Sequence, residues 1–101
     1  MDRIAMLRKF IAESADDPFP RYALALELKG KGDAAGAAAE MQELLNRKPD
    51  YLAAYLQYGM LLQALGRGDE AKAAYGKGQE VARTKGDSHA LSELTQALES
   101  M

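Results

Sequence analysis

The only histidine of the chain, His89, lies between two carboxylates in the sequence, Asp87 and Glu93. A histidine beside a carboxylate can act as an acid–base pair or supply ligands to a metal ion. A lone histidine near the start of a helix usually has neither role, and we find no set of Ser, His and Asp residues to accompany it. The chain has no cysteine, which excludes a thiolate zinc site and a disulfide framework. We therefore predict no catalytic residue, no metal site and no cofactor.

Two glycine-containing segments, Gly30-Lys-Gly-Asp33 and Gly66-Arg-Gly-Asp69, are the other candidates for chemistry. Neither has the spacing of a phosphate-binding loop, and both follow predicted helices rather than strands. Arg67-Gly-Asp69 also spells an integrin-type tripeptide. Because no secretion signal is visible, we interpret it as a turn followed by a helix cap.

Composition excludes several classes of function. The net charge is −2, and the 13 Lys and Arg residues are scattered among acids rather than forming the stripe that phosphate binding requires. The N-terminal residues lack the apolar core of a signal peptide. The longest uncharged stretch, residues 51–66, contains Gln57 and Gln63 and falls short of the roughly 20 apolar residues of a membrane span. We expect a cytoplasmic protein that binds neither nucleic acid nor membrane.

Apolar spacing and turn residues predict about six helices in one domain of 101 residues. The first has Ile4, Leu7, Phe10 and Ile11 on its inner face. The uncharged stretch is the fourth helix, which we expect Asp50 to cap and neighbouring helices to bury on most of its circumference. The predicted helices cover approximately residues 2–14, 18–31, 34–47, 51–66, 69–84 and 88–100.

The helices repeat with a period of 34 residues, which is the period of a solenoid built from helical hairpins. The shift superposes identical residues at Leu28 and Leu62, at Gly32 and Gly66, at Ala37 and Ala71, and at Ala39 and Ala73. The first unit has Leu24-Ala25-x2-Leu28, Ala37-x3-Met41 and Pro49. The second has Tyr55-x2-Tyr58-Gly59-x2-Leu62 and Ala71-x3-Tyr75, with Arg83 in place of the proline.

This pattern resembles the tetratricopeptide repeat, a family of small helical arrays that includes bacterial two-repeat proteins with capping helices. The resemblance implies an all-α, right-handed α-solenoid of antiparallel helix hairpins. Leu7 and Ile11 match Met41 and Leu45, so the first helix is a half repeat. A 36-residue shift places Leu91, Leu94 and Leu98 on the first-helix pattern, which implies a connection two residues longer. The boundaries are then 2–15 for the half repeat, 18–51 and 52–85 for the two repeats, and 87–100 for the capping helix.

The resemblance also implies a function, because members of this family bind peptides or helices on a concave surface formed by the first helix of each hairpin. The carboxylate clamp of the chaperone-binding members is absent, since its matching places hold Tyr22, Leu26, Gln57, His89 and Glu93. We therefore expect a non-catalytic module that binds a peptide or an amphipathic helix. The alternative is a scaffold that buries the same groove against a second copy as a homodimer. The implied groove residues are Phe19, Tyr22, Leu26, Lys29, Ala53, Leu56, Met60, Gln63, His89, Ser92 and Gln96.

Overall fold

A computed structural model describes residues 2–101, which form six α-helices and no strand, as the apolar spacing predicts. The helices cluster into two compact units of three helices each. One unit ends at Pro49, and the other begins at Asp50 and ends at Met101. The helices are α1 (Arg3–Glu13), α2 (Pro18–Gly30), α3 (Ala34–Arg47), α4 (Ala53–Ala64), α5 (Gly68–Lys85) and α6 (Ser88–Glu99).

Aspartate side chains cap four of these helices at their N-termini. Asp2, Asp17, Asp33 and Asp87 each accept a hydrogen bond from a backbone N–H in the first turn of the helix that follows. Such a bond satisfies one of the amides that an α-helix leaves without an internal partner. The predicted cap at Asp50 is wrong. The helix α4 begins at Ala53, and its N-cap position holds Leu52, whose side chain cannot accept a hydrogen bond.

The interpretation of Arg67-Gly-Asp69 as a turn followed by a cap is wrong, because the turn is formed by Leu65 and Gly66, and Gly68 and Asp69 already belong to α5. Arg67 occupies the N-cap position and forms an ion pair with Glu70, while Asp69 lies inside the first turn. The other end of α5 also differs from the expectation. Without a proline at position 83, the helix continues to Lys85 and ends at Gly86, which has a positive φ of 67°. The helix α5 therefore has 18 residues against the 14 of α3, so the helix rather than the loop is longer.

In the first unit, α2 packs against both α1 and α3. The core contains the predicted residues Leu24, Ala25, Leu28 and Met41, all of which are buried. Arg21 on α2 forms an ion pair with Glu40 on α3, with 3.1 Å between Nη1 and Oε1. The inner face predicted for α1 is only partly correct. Leu7 is buried and Ile4 and Ile11 are half-buried, but Phe10 is 43% exposed.

In the second unit, α5 packs against both α4 and α6, and two glycine–tyrosine contacts of opposite direction join it to α4. A Cβ atom built on Gly59 of α4 would overlap the ring of Tyr75 on α5, with Cε1 as the nearest atom. A Cβ atom built on Gly78 of α5 would lie 2.7 Å from Cβ of Tyr55 on α4 and 3.0 Å from Cδ1 of Leu94 on α6. Each helix thus supplies one glycine and one aromatic ring. Small residues are necessary at this crossing because the rings occupy the space of their side chains.

The tyrosines of this core titrate at higher pH than free tyrosine. Tyr75 has no accessible surface, and its hydroxyl donates a hydrogen bond to the side-chain oxygen of Gln63. Burial raises the pKa of Tyr75, and it also raises the pKa of Tyr55, to which Asp50 and Glu80 add a smaller increase. Burial raises the pKa of Tyr58 too, against an opposing effect of Arg67. All three hydroxyls are therefore held in the neutral form.

We predict that Gly59→Leu lowers the free energy of unfolding by about 1–3 kcal/mol, because the new side chain would occupy the position of the Tyr75 ring. Chemical denaturation followed by circular dichroism measures the change. A variant that unfolds at the same denaturant concentration as the parent would contradict this account of the α4–α5 contact.

A second prediction compares two glycines of α5. A Cβ atom on Gly76 would have no atom within 4 Å, so Gly76→Ala should gain the helix propensity of alanine and stabilise the chain by about 1 kcal/mol. Gly78→Ala gains the same propensity but forces a Cβ atom against Tyr55 and Leu94, and it should destabilise the chain. The two midpoints of thermal unfolding should move in opposite directions. A rise in both would show that the Gly78 contact is dispensable.

We also predict that stability falls as pH rises above about 10, the pKa of an unfolded tyrosine. Below that pH the tyrosines are neutral in both states. Above it the unfolded chain ionises first, because the folded-state pKa values are raised, and this favours unfolding. Tyr75→Phe keeps the ring over Gly59 and removes one titrating hydroxyl. Its denaturation midpoint should therefore fall less between pH 9 and pH 11 than that of the parent, and an identical fall would contradict the role of Tyr75.

Candidate functional site

The predicted groove residues of the first unit all lie on α2, and the structure brings three of the four together. Phe19, Tyr22 and Leu26 line one open cleft of about 610 Å³, which we call the α2 cleft. They share a side of the helix because they are spaced three and four residues apart. Lys29 is exposed but does not line the cleft. The remaining lining residues are Arg3, Ala23, Glu27, Gly30 and Lys31.

The side chains of the α2 cleft are apolar in the middle and charged at the rim. Phe19 is 64% exposed and Leu26 is 37% exposed, although both are large and apolar. Arg3 of α1 reaches across to Glu27 of α2, with 2.6 Å between Nε and Oε1, and Lys31 adds a second cation. An apolar surface with a polar rim is typical of a site that binds another polypeptide.

A second cleft of about 370 Å³ lies between α1 and the start of α2, and the sequence did not predict it. We call it the α1 cleft. Its apolar residues include Met6, which is 41% exposed, Phe10 and, shared with the α2 cleft, Phe19. The sequence could have indicated this cleft, because Met6 is a large apolar residue that lies outside the stripe formed by Leu7 and Ile11. The cleft is lined by Arg3, Met6, Leu7, Phe10, Glu13, Ser14, Asp17, Phe19 and Pro20.

The predicted groove residues of the second unit lie on α4 and α6 and differ in exposure. Met60 is 42% exposed, whereas Leu56 is half-buried. Gln63 is exposed, but its side-chain oxygen accepts the hydrogen bond from Tyr75 and so also supports the core. The four other predicted residues are exposed: Ala53, His89, Ser92 and Gln96.

The structure provides no catalytic or metal-binding arrangement around the histidine. The His89 side chain is 87% exposed, and its Nε2 lies 3.4 Å from Oε1 of Glu93 in the next turn of the same helix. An exposed pair at this spacing contributes little energy. Within residues 2–101, no group of three or more His, Asp or Glu side chains could hold a metal ion. The same residues include no helix long and apolar enough to cross a membrane.

Comparisons with known proteins agree with the helical hairpins and their spacing. A family model described as "Tetratricopeptide repeat" matches residues 28–97. A TPR repeat-containing protein of Pseudomonas aeruginosa is 33% identical over 89 residues, which are 88% of this chain and 85% of that protein.

Solved structures show the same fold. The crystal structure of a tetratricopeptide repeat domain protein from Salinibacter ruber matches with a TM-score of 0.79 and 43% identity, over 83% of this chain and 93% of that one. The solution structure of a Bordetella parapertussis protein matches with a TM-score of 0.82 and 23% identity, over 99% of this chain and 87% of that one. The predicted all-α solenoid class is confirmed. The chain belongs to the tetratricopeptide repeat family.

Proposed function

We propose that the chain is a non-catalytic module that binds a peptide or an amphipathic helix through an apolar surface. Proteins of this family are generally protein-interaction modules without catalytic activity, and the family implies a protein partner. The observation that carries the proposal is the α2 cleft, where Phe19, Tyr22 and Leu26 leave large apolar side chains in contact with water. On α4, Leu56 and Met60 supply apolar contacts of the same kind.

The remaining groove residues have supporting roles in this proposal. Lys29 on α2, with Lys31 nearby, favours a segment that carries acidic residues beside its apolar ones. Ala53 and Gln63 on α4, and His89, Ser92 and Gln96 on α6, are further contact residues of the second unit in this proposal. The site needs no cofactor, and the chain acts in the cytoplasm. Residues 18–51 and 52–85 serve as the two repeats of one domain, between the half repeat and the capping helix.

The core packing also supports the assignment of these residues to binding rather than to the fold. Leu24 and Leu28 on α2, and Leu61 and Leu62 on α4, are buried and fill the core side of each helix. Leu26 and Met60 lie outside this set and remain exposed. Side chains that the fold does not use, and that are large and apolar, are the ones available to a partner.

We predict that Leu26→Glu and Met60→Glu leave the fold intact and abolish partner capture, because a carboxylate would be buried against apolar atoms of the partner. The test is affinity capture from a lysate of the source cells, followed by binding of a synthetic peptide from the recovered protein. Each variant should weaken peptide binding at least about tenfold. Gln42→Glu, an exposed change on α3, is the control and should bind like the parent.

Two results would contradict the proposal. If Leu26→Glu or Met60→Glu loses its helical circular dichroism signal, the residue belongs to the core. If both variants bind the peptide like Gln42→Glu, the partner uses another surface. Light scattering on the same samples tests the alternative, in which a second copy covers this groove.

A further inference from the structure

The α1 cleft and the α2 cleft are neighbours, because Arg3 and Phe19 line both of them. The ion pair between Arg3 and Glu27 joins the first residue of α1 to the last turn of α2. At the opposite end, Glu13 from the end of α1 and Pro20 from the first turn of α2 line the same cleft. The two helices therefore run antiparallel, with the two clefts side by side along them. We call the combined lining of both clefts the double cleft.

The middle of the double cleft is apolar over most of the length of α2. Phe19, Tyr22 and Leu26 supply the apolar side chains on α2, and Met6 and Phe10 supply those on α1. Along α2 the lining continues to the end of the helix, about 18 Å from Phe19 at the α-helical rise of about 1.5 Å per residue. A surface of this length matches about three turns of a bound helix.

The two ends of the double cleft carry opposite charge. Where α1 begins and α2 ends, Lys31 adds a cation to the neutral Arg3–Glu27 ion pair. At the other end, the cleft is lined by the carboxylates of Glu13 and Asp17. Within the described residues 2–101, neither Lys31 nor Glu13 forms an ion pair. Both charges are therefore available to a bound partner.

We propose that the double cleft binds an amphipathic helix of about three turns whose first turn is acidic and whose last turn is basic. The acidic turn lies beside Lys31, the apolar face covers Phe10 and Phe19, and the basic turn lies beside Glu13 and Asp17. The bound helix is then antiparallel to α2. Its own macrodipole favours the same distribution, because acids stabilise a helix N-terminus and bases a C-terminus. The opposite direction would bring like charges together at both ends.

Binding at the double cleft rests on the proposed function, because the α2 cleft belongs to both. It adds the charge pattern of the partner, the direction in which the partner binds and the participation of the α1 cleft. A peptide of about three turns fills the double cleft alone. Its binding therefore does not depend on the α4 residues that the proposed function also uses.

Two synthetic peptides of identical composition test the proposal by fluorescence anisotropy. Both are about 14 residues long and carry the same stripe of leucines on a background of alanine. The first peptide has glutamates in its first turn and lysines in its last turn, and the second has these charges exchanged. The first should bind at least about tenfold more tightly. Its advantage should shrink as the salt concentration rises, because salt screens exposed charges.

A variant with the two free charges of the double cleft exchanged separates the cleft from the peptides. Glu13→Lys combined with Lys31→Glu leaves the net charge of the chain unchanged. The ratio of the two peptide affinities should fall at least about tenfold relative to the parent. A difference in the helicity of the free peptides cancels in this comparison. Lys9→Glu, an exposed change on α1 outside both clefts, is the control and should keep the ratio of the parent.

A truncation of Phe10 tests whether the α1 cleft takes part. Phe10→Ala removes a large apolar contact and should weaken binding of the first peptide at least about tenfold. Lys9→Ala, a truncation at an exposed position outside both clefts, should bind like the parent. Because Phe10 is 43% exposed, the variant should keep the circular dichroism spectrum of the parent.

Four results would each overturn the proposal: failure of both peptides to bind, equal affinity of the parent for the two peptides, an unchanged ratio in the charge-exchanged variant, or normal binding by Phe10→Ala. The comparison of the two peptides on the parent needs no variant, so a loss of folding cannot affect it. If both peptides bind equally and Leu26→Glu abolishes the binding of both, the proposed function stands and the direction of binding is wrong.

Discussion

The close contact between α4 and α5 is the constraint on which the second unit depends. Two helices can approach this closely only where one of them has no side chain, and here each helix supplies a glycine at the place where the other supplies a tyrosine. These two reciprocal contacts fix the register between α4 and α5, because a shift along either helix would put a tyrosine ring against a side chain rather than against the backbone of a glycine. A buried tyrosine also brings a hydroxyl group into the core, where it needs a hydrogen-bond partner. The hydroxyl of Tyr75 finds one in the side-chain oxygen of Gln63.

The first unit meets the same geometric requirement with different residues. Ala25 and Met41, which occupy the places of Gly59 and Tyr75, are both fully buried. The place of Tyr55 holds Arg21, which pairs with Glu40. A flexible methionine needs less space than a rigid ring, so alanine is small enough at this crossing. The repeat thus preserves the shape of the contact and not the identity of its residues, which explains why the pattern in the sequence is degenerate.

The two clefts of the first unit exist because each helix buries only part of its apolar surface. Each helix buries one stripe against its neighbours, and any large apolar residue outside that stripe remains in water. Leu26 and Phe19 of α2 are such residues, and so are Met6 and Phe10 of α1. A charged rim with the Arg3–Glu27 ion pair keeps these surfaces hydrated at their edges. Apolar surfaces of this kind are the ones available to a partner.

Much of the fold was predictable because it depends on local chemistry. Apolar spacing gave the number and type of the helices, and the 34-residue period gave the pairing of hairpins and the family. The repeat pattern also named Leu24, Ala25, Leu28, Ala37 and Met41 on α2 and α3, and all five are buried. The groove residues on α2 were implied by the resemblance to the family, and three of the four line one cleft.

What tertiary structure decided is which of several apolar stripes is covered. Phe10 has the spacing of a core residue, yet it is exposed because no described helix packs on that side of α1. Arg3 and Glu27 join the α2 cleft only because α1 and α2 pack side by side, although they lie far apart in sequence. Gly76 and Gly78 are alike in the sequence, and only the position of Tyr55 makes one of them indispensable. Periodicity along a helix specifies which residues share a face, whereas burial depends on what packs against that face.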